Sequence, residues 1–335
     1  MKPDFEFGAD GAFTFFHVTD LHEEGNPDPR PYDLLRAEIA RRRPSLVVGT
    51  GDFVSCRNGK DEFEERMSRF VAAVRETGVP VCLTFGNHDS ERHGPGFWTR
   101  REQYGLYRKW LGDALFVDHD VPGLEGVGSG VVRIHRPGEA APAFNLFVMD
   151  SGDYTHMDPE TGAKIDVPWK WGYDGCRARQ IAWYERVSGD TPCLWFQHVI
   201  VPDANDTGLF VEAAGGGSRV EMPLRGRKTR VKPAPGVLGE LAEATCPPPW
   251  EPYRDAAHTH EGRTLYESWR HMGNLRGAYF GHDHVNSFDG VDENGIRLGM
   301  TKALTAGSYN DGRPWLRAFT VREDGSFETE LVTDG

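Results

Sequence analysis

Five short motifs rich in histidine and aspartate each follow a strand-like apolar run, and this repeated pairing constrains the fold more than any other feature of the sequence. The runs are residues 13–18, 46–48, 79–85, 194–196 and 278–280. The motifs that follow them are Asp20-Leu21-His22, Gly51-Asp52, Gly86-Asn87-His88-Asp89, the single His198, and Gly281-His282-Asp283-His284. Strand ends in open α/β sheets direct side chains into one crevice, where ligands bind. We therefore expect the five motifs to meet in one site.

Helical patterns separate the first of these strand-like runs. Residues 32–43 and 61–77 place apolar side chains at helical spacing. The order strand, helix, strand, helix, strand indicates a parallel sheet with right-handed crossovers. Shorter strand-like segments follow, then a helical segment at 176–187, and the chain returns to strands beyond residue 281. This order predicts an α/β fold of two packed mixed β-sheets flanked by helices, in a single domain over residues 1–335.

Residues 202–255 differ from the rest and are predicted to be a long loop insertion. They show little periodicity, and they contain a glycine-rich run at 215–218 and three consecutive prolines at 247–249. A loop of that length inside a compact domain is usually functional or disordered. Its basic residues suggest a lid that attracts a negatively charged substrate, and the alternative is a solvated, mobile loop. The candidate substrate-binding residues are Arg225, Arg227 and Lys228.

The charge balance limits the classes of partner. The chain carries 51 acidic and 38 basic residues, for a formal net charge of −13. An acidic surface argues against general nucleic-acid or anionic-membrane binding, because both require clustered lysine and arginine. The five cysteines lack CxxC spacing and indicate free thiols in a reducing compartment. With neither a signal-like start nor an apolar stretch of bilayer length, we expect a cytoplasmic protein, and the sequence leaves its oligomeric state open.

The side chains in the five motifs suit metal ions. Asp20 and His22 are two residues apart and would share one face of a regular strand. Asp52 could bridge two ions through its two carboxylate oxygens. The mixed nitrogen and oxygen donors suit two divalent ions such as Mn, Fe or Zn better than Ca or Mg, and the absence of cysteine disfavours a structural zinc site. The candidate ligands are Asp20, His22, Asp52, Asn87, His198, His282 and His284.

In this order the motifs resemble those of the calcineurin-like metallophosphoesterase superfamily, over about residues 12–310. Three further segments resemble its purple-acid-phosphatase-like branch. They are Met149 to Tyr154, Gly172 to Asp174 with Gln180 to Trp183, and Gly281 to Asn286. True purple acid phosphatases lack the ligand supplied here by His22, and they carry a tyrosine ligand where this chain has Ser55. The resemblance implies an αββα sandwich without the purple tyrosinate colour or an obligatory ferric ion.

The resemblance also implies a division of roles. One ion would be held by Asp20, His22, Asp52 and His284, and the other by Asp52, Asn87, His198 and His282. A hydroxide bridging the ions would attack phosphorus, His88 would donate a proton to the leaving group, and Asp89 would orient His88. The implied function is a phosphoester hydrolase, with monoesters slightly preferred over diesters. The alternative is a non-catalytic metal-binding scaffold of the same fold, which would have no need for His88.

Overall fold

The computed structural model describes residues 4–54, 59–92, 94–155, 164, 172–213, 218–249 and 253–334. Ser55 and the glycines at 215–217 lie outside these ranges. The described residues form five α-helices and fifteen strands. The helices are α1 (Arg30–Arg42), α2 (Lys60–Thr77), α3 (Arg100–Leu111), α4 (Ala178–Ser188) and α5 (Leu265–Met272).

The strands form two large sheets and one small one. The seven-stranded sheet contains β1 (Asp4–Glu6), β5 (Gly130–His135), β6 (Pro142–Val148), β7 (Cys193–Gln197), β11 (Leu275–Phe280), β13 (Arg297–Met300) and β12 (Asp289–Val291), in that order. The five-stranded sheet contains β15 (Phe327–Thr333), β14 (Trp315–Arg322), β2 (Ala12–Val18), β3 (Leu46–Thr50) and β4 (Val81–Thr84), in that order. The small antiparallel sheet contains β8 (Phe210–Glu212), β10 (Arg227–Pro233) and β9 (Glu221–Leu224).

The two large sheets pack face to face, with helices on their outer surfaces. Successive side chains of a strand point to opposite faces, and β2 shows the result. Phe13 and Phe15 belong to the core between the sheets, where the Phe15 ring contacts Phe196 and Phe319. The neighbouring Phe16 belongs to the second core, under α1 and α2. A third core lies beneath α4 and α5. The predicted two-sheet α/β sandwich is therefore confirmed.

The candidate ligands follow strands whose carboxyl ends lie at one edge of each sheet. β2, β3 and β4 are mutually parallel, as are β7 and β11. The predicted strand-like runs all coincide with these strands to within a few residues. Parallel neighbours end on the same side, so the five motifs are brought to one crevice.

Residues 202–255 contain more regular structure than the sequence predicted. The small sheet of β8, β9 and β10 lies within them. Phe210, Met222 and Val231 are buried in the core that also contains α4 and α5. Its strands are short, Pro223 lies within β9, and Gly226 lies in the turn between β9 and β10. No period-2 pattern therefore extends far enough to be read. The expectation of a loop without regular structure is wrong for this part of the insertion.

Two helices, α3 and α5, were not predicted, although each carries a sequence signal. The side chains of Thr99 and Thr264 each accept a hydrogen bond from the backbone N–H of the residue three positions on. That residue is a glutamate in both helices, and its side chain accepts a hydrogen bond from the backbone N–H of the threonine. This T-x-x-E capping box satisfies two backbone donors and marks a helix start.

Within the described ranges, no helix is long and apolar enough to cross a membrane. The cysteines within the described ranges, at positions 82, 176, 193 and 246, are all free thiols.

Candidate metal centre

All seven predicted ligands meet in one buried cluster made of two groups. Within each group the ligand atoms lie within 4.8 Å of one another. The first group is Asp20, His22 and His284, and the second is Asp52, His198 and His282. The groups adjoin, since His22 Nε2 lies 3.6 Å from Asp52 Oδ2. Asn87 joins the second group, with its Oδ1 3.2 Å from His198 Nε2.

Four of the ligands adopt left-handed backbone conformations that residues other than glycine rarely adopt. Their φ angles are 54° at Asp20, 44° at His22, 54° at Asp52 and 74° at His282. Each costs about 1–2 kcal/mol and persists only where the surrounding structure holds it. Since β2 ends at Val18, Asp20 and His22 do not share a strand face as their spacing suggested. A sharp turn after the strand brings them together.

Glycine is required where the strand-end loops cross. A Cβ at position 86 would lie 2.3 Å from Asp52 Oδ1 and 2.7 Å from His198 Cε1. One at position 281 would lie 2.0 Å from Thr19 Oγ1 and 2.8 Å from Asp20 Oδ2. These distances explain why the third and fifth motifs begin with glycine.

Each carboxylate of the cluster has one anchored oxygen and one unpaired oxygen. Asp20 Oδ2 accepts hydrogen bonds from the Thr19 hydroxyl at 2.7 Å and from the His282 backbone N–H at 2.9 Å. The other oxygens, Asp20 Oδ1 and Asp52 Oδ2, are buried and accept no hydrogen bond from any residue that the structure describes. A buried carboxylate oxygen without a donor is unfavourable unless a cation compensates it. The donor set therefore fits bound metal ions.

Both carboxyl groups are held in the ionised form that a cation requires. Burial by itself raises the pKa of Asp20 and of Asp52. The neighbouring histidines, His198 foremost, outweigh burial and hold the pKa of each carboxyl well below its ordinary value.

Asp52 reaches both groups through one oxygen and not through two. Its Oδ1 accepts the His88 backbone N–H at 2.7 Å. Its Oδ2 lies 3.6 Å from His22 Nε2 and 3.2 Å from His198 Nε2. The backbone of the third motif thus anchors one carboxylate oxygen, and the bridge between two ions through both oxygens stays a prediction. Asp52 still lies between the two groups.

Hydrogen bonds outside the cluster orient two of the ligands. His198 Nδ1 lies 2.8 Å from the Thr50 carbonyl oxygen, so its N–H donates there and Nε2 faces the cluster. Asn87 Nδ2 donates to the Tyr154 hydroxyl at 3.0 Å, which turns the amide oxygen towards His198. Burial lowers the pKa of His282 to about 3, and a neutral imidazole is the form that binds metal.

His88 is oriented by Glu91 and not by Asp89. The His88 side chain is 36% exposed, and its Nδ1 lies 2.8 Å from Glu91 Oε1. His88 to Ser90 form one turn of 3-10 helix, a conformation that places residues three apart on the same side. The Asp89 carboxylate instead accepts the backbone N–H groups of Asp52 and Gly86, both at 2.7 Å. The expectation that Asp89 orients His88 is wrong, since Asp89 ties the second motif to the third.

Sequence reasoning missed Arg100, which holds the third motif in place. Its guanidinium is fully buried and lies 2.7 Å from Asp150 Oδ1. It donates to the Gly86 carbonyl oxygen at 2.6 Å and to Ser90 Oγ at 2.8 Å, and Ser90 donates to Asp153. The segment Met149 to Tyr154, which resembles the purple-acid-phosphatase-like branch, thus supports the ligand loops. No periodic or spacing signal marks Arg100, because its partners are distant in the chain.

Two histidines outside the cluster have structural roles. His17 is buried, with its ring nitrogens 2.8 Å from the hydroxyls of Thr301 and Thr50. His258 lies between Asp174 at 2.7 Å and Asp255 at 2.8 Å. These contacts provide hydrogen-bond partners for both ring nitrogens of each histidine without a metal, as expected for His17.

The basic residues of the insertion lie on the hairpin of β9 and β10. Arg225, Arg227 and Lys228 are exposed. The Arg225 guanidinium lies 3.5 Å from Glu293. None of the three is among the described residues that line the cavities beside the cluster. Attraction of a phosphorylated substrate by these residues stays a prediction.

The first half of the chain is similar to a known type of domain. The sequence profile described as calcineurin-like phosphoesterase matches residues 13–174. The match confirms the resemblance of the motifs. It includes Asp20, Asp52 and Asn87, while His198, His282 and His284 lie beyond it and are joined to them by the fold.

Curated relatives and one solved structure are similar to this chain. The chain is 25% identical over 358 residues to "Probable inactive purple acid phosphatase 14" of Arabidopsis thaliana, with 95% of this chain and 76% of that protein covered. "Probable inactive purple acid phosphatase 29" of the same plant is 23% identical, with 85% and 70% covered. A dimetal phosphatase from Danio rerio shares the fold, with a TM-score of 0.52, 14% identity, and 96% and 98% of the two chains covered.

The position of Asp52 predicts that Asp52→Asn weakens both metal sites together. The substitution removes the charge of the oxygen that lies between the two groups. We expect the variant to retain fewer than two ions per chain after gel filtration, as measured by elemental analysis. The exposed Asp113, changed to Asn, is the matched control and should leave the metal content unchanged. Retention of two ions by Asp52→Asn would refute the shared position of this carboxylate.

The burial of Arg100 predicts that Arg100→Met lowers the free energy of unfolding by about 3–5 kcal/mol, because it leaves two buried carboxylates and a carbonyl without their partner. Urea denaturation measures the change. The neighbouring Arg101 pairs with Asp120 at the surface, so Arg101→Met should cost less than about 1 kcal/mol. Equal losses for the two variants would contradict a clamping role for Arg100.

Proposed function

We propose that this protein is a dinuclear metal-dependent phosphoester hydrolase. One observation carries the proposal: Asp20 Oδ1 and Asp52 Oδ2 are buried without hydrogen-bond donors among the described residues, inside a ring of imidazole nitrogens. Asp20, His22 and His284 would hold one ion, and His198, His282 and Asn87 the other, with Asp52 between them. Mn, Fe and Zn suit such donors. Bound ions of this kind polarise phosphoryl oxygens and acidify a water molecule.

His88 is the side chain best placed to assist the leaving group. It is the only motif histidine that is substantially exposed among the described residues. Glu91 contacts its Nδ1, so Nε2 is the nitrogen available to a substrate. A proton held at Nε2 can pass to the leaving alkoxide oxygen as its bond to phosphorus breaks. The ring centroid of His88 lies 5.1 Å from that of His22, close to the first ligand group.

A non-catalytic metal-binding scaffold is the second candidate. The names of the two plant relatives favour it, since both contain the word "inactive". The complete set of ligands weighs against it. A scaffold also has no need for an exposed histidine held by a carboxylate at the edge of the cluster, and this chain retains His88 with Glu91.

Turnover by the metal-loaded protein separates the two candidates. Protein stripped of metal and reloaded with Mn, Zn or Fe should hydrolyse 4-nitrophenyl phosphate, and we expect lower activity towards bis(4-nitrophenyl) phosphate. Release of nitrophenolate is the measurement, with metal content determined on the same samples. Asp52→Asn is expected to be inactive, and Asp113→Asn is its control. Two bound ions and no turnover of either ester would support the scaffold.

The position of His88 predicts an effect that depends on the leaving group. His88→Ala should reduce kcat/KM by roughly 10²–10⁴ for alkyl phosphates, whose alkoxides need a proton. His88→Ala should reduce kcat/KM far less for 4-nitrophenyl phosphate, because nitrophenolate leaves unprotonated. Glu91→Gln should show the same pattern with a smaller loss, since it keeps the imidazole and weakens only its orientation. Equal losses on both substrates would assign His88 to phosphate binding.

A further inference from the structure

A cavity of about 420 Å³ opens beside the second ligand group. Its wall includes Tyr173, whose ring centroid lies 4.2 Å from that of His282. Cys246 also lines it, and the Cys246 sulfur lies within 4.8 Å of ligand atoms of His282 and Asp283. The cavity therefore adjoins the metal centre, and small-molecule sites commonly have volumes of about 300–1,000 Å³.

The lining of this cavity is mostly apolar. Its flat carbon surfaces come from Tyr173, Pro202, Pro223, Pro247, Pro248 and Pro249. The polar side chains at its edge are engaged with neighbours. The Thr245 hydroxyl donates to Asn205 Oδ1 at 2.7 Å, and the Asp206 carboxylate accepts the Arg225 backbone N–H. The space is thus suited to a ring or another flat apolar group.

Charge makes this cavity a poor site for phosphate. Among the described residues that line it, one carries a carboxylate and none carries a positive charge. The phosphoryl group of a substrate would therefore lie at the metal centre, and only the organic part would enter the cavity. A second cavity of about 360 Å³ lies beside His22, and it is lined by Glu23, Glu24, Asp28 and Arg30 among others. That polar space is unsuited to an apolar group.

A chain of contacts connects the apolar cavity to the residue proposed to protonate the leaving group. Tyr173 stacks on Tyr154, with ring centroids 5.5 Å apart. The Tyr154 hydroxyl lies 3.4 Å from Glu91 Oε1, which in turn contacts His88. Tyr173 in the cavity wall is thus linked to His88 through Tyr154 and Glu91.

We propose that this cavity binds an aromatic group in the alcohol part of the phosphoester substrate. The inference rests on the proposed function and narrows its substrate class. It also gives residues 202–249 a role, since most of the apolar wall belongs to that insertion. Their contribution is recognition of the organic group, which is distinct from the electrostatic attraction predicted for Arg225, Arg227 and Lys228.

Two pairs of compounds test this proposal on the metal-loaded protein. Phenyl phosphate and 2-naphthyl phosphate have leaving groups of similar acidity. A difference between their kcat/KM values therefore reports binding of the aromatic group in the cavity. We expect kcat/KM to be about tenfold higher for the naphthyl ester, mainly through KM, since more apolar surface is buried. Phenylphosphonate and 2-naphthylphosphonate cannot be hydrolysed. Calorimetric titration should show about tenfold tighter binding of the naphthyl compound.

A variant of the cavity wall and a matched control complete the experiment. Pro223 lines the rim and is exposed, so Pro223→Asp places a carboxylate at the aromatic site with little effect on the core. We expect both naphthyl preferences to fall below about twofold. Pro235 is an exposed proline of the same insertion outside the cavity lining, and Pro235→Asp should retain both preferences.

The two readouts separate failure of this inference from failure of the proposed function. A naphthyl preference in phosphonate binding without hydrolysis of any ester would support the aromatic site and refute the hydrolase. Hydrolysis of both esters with equal kcat/KM, together with equal phosphonate binding, would refute the aromatic site and leave the hydrolase standing. A preference that persists in Pro223→Asp would also refute the assignment to this cavity.

Discussion

The structure depends on a cluster of buried metal-ligand side chains, two of whose carboxylate oxygens accept no hydrogen bond from the described residues. Asp20 and Asp52 each anchor one oxygen through hydrogen bonds and bury the other without a donor. Such burial is unfavourable by itself, and the carboxylates stay ionised because histidines surround them. Divalent cations at these oxygens would compensate the charge. Metal binding is therefore expected to contribute directly to the stability of this edge of the fold.

The surroundings of the cluster are built to resist relaxation. Four ligands are held in left-handed conformations, and crossing loops leave no room for a side chain at positions 86 and 281. Arg100 donates a hydrogen bond to the Gly86 carbonyl oxygen of the third motif. The Asp89 carboxylate connects that motif to the second by accepting the backbone N–H groups of Asp52 and Gly86. Local strain at the ligands is thus balanced by buried polar contacts around them. Such rigidity fixes the donor positions before a metal or a substrate arrives.

The insertion at residues 202–255 combines two surfaces with different chemistry. Its small sheet presents Arg225, Arg227 and Lys228 to solvent, while its prolines and Tyr173 form an apolar wall beside His282. Both surfaces lie outside the ligand cluster, so they can vary without altering the metal chemistry. Function resides in such sites and the surfaces around them more than in the fold itself.

The sequence by itself determined the sandwich, the crevice and the seven candidate metal ligands that meet there. Each candidate ligand lies within four residues of a strand end. Donor chemistry also restricts which side chains can serve, so both facts are local and can be read from order and residue type. Only the tertiary structure decided which groups those ligands contact. Glu91 and not Asp89 orients His88, Asp52 uses one oxygen between the groups, and Arg100 binds residues far from it in the chain. These outcomes depend on distances between separate segments, and packing of the whole chain sets those distances.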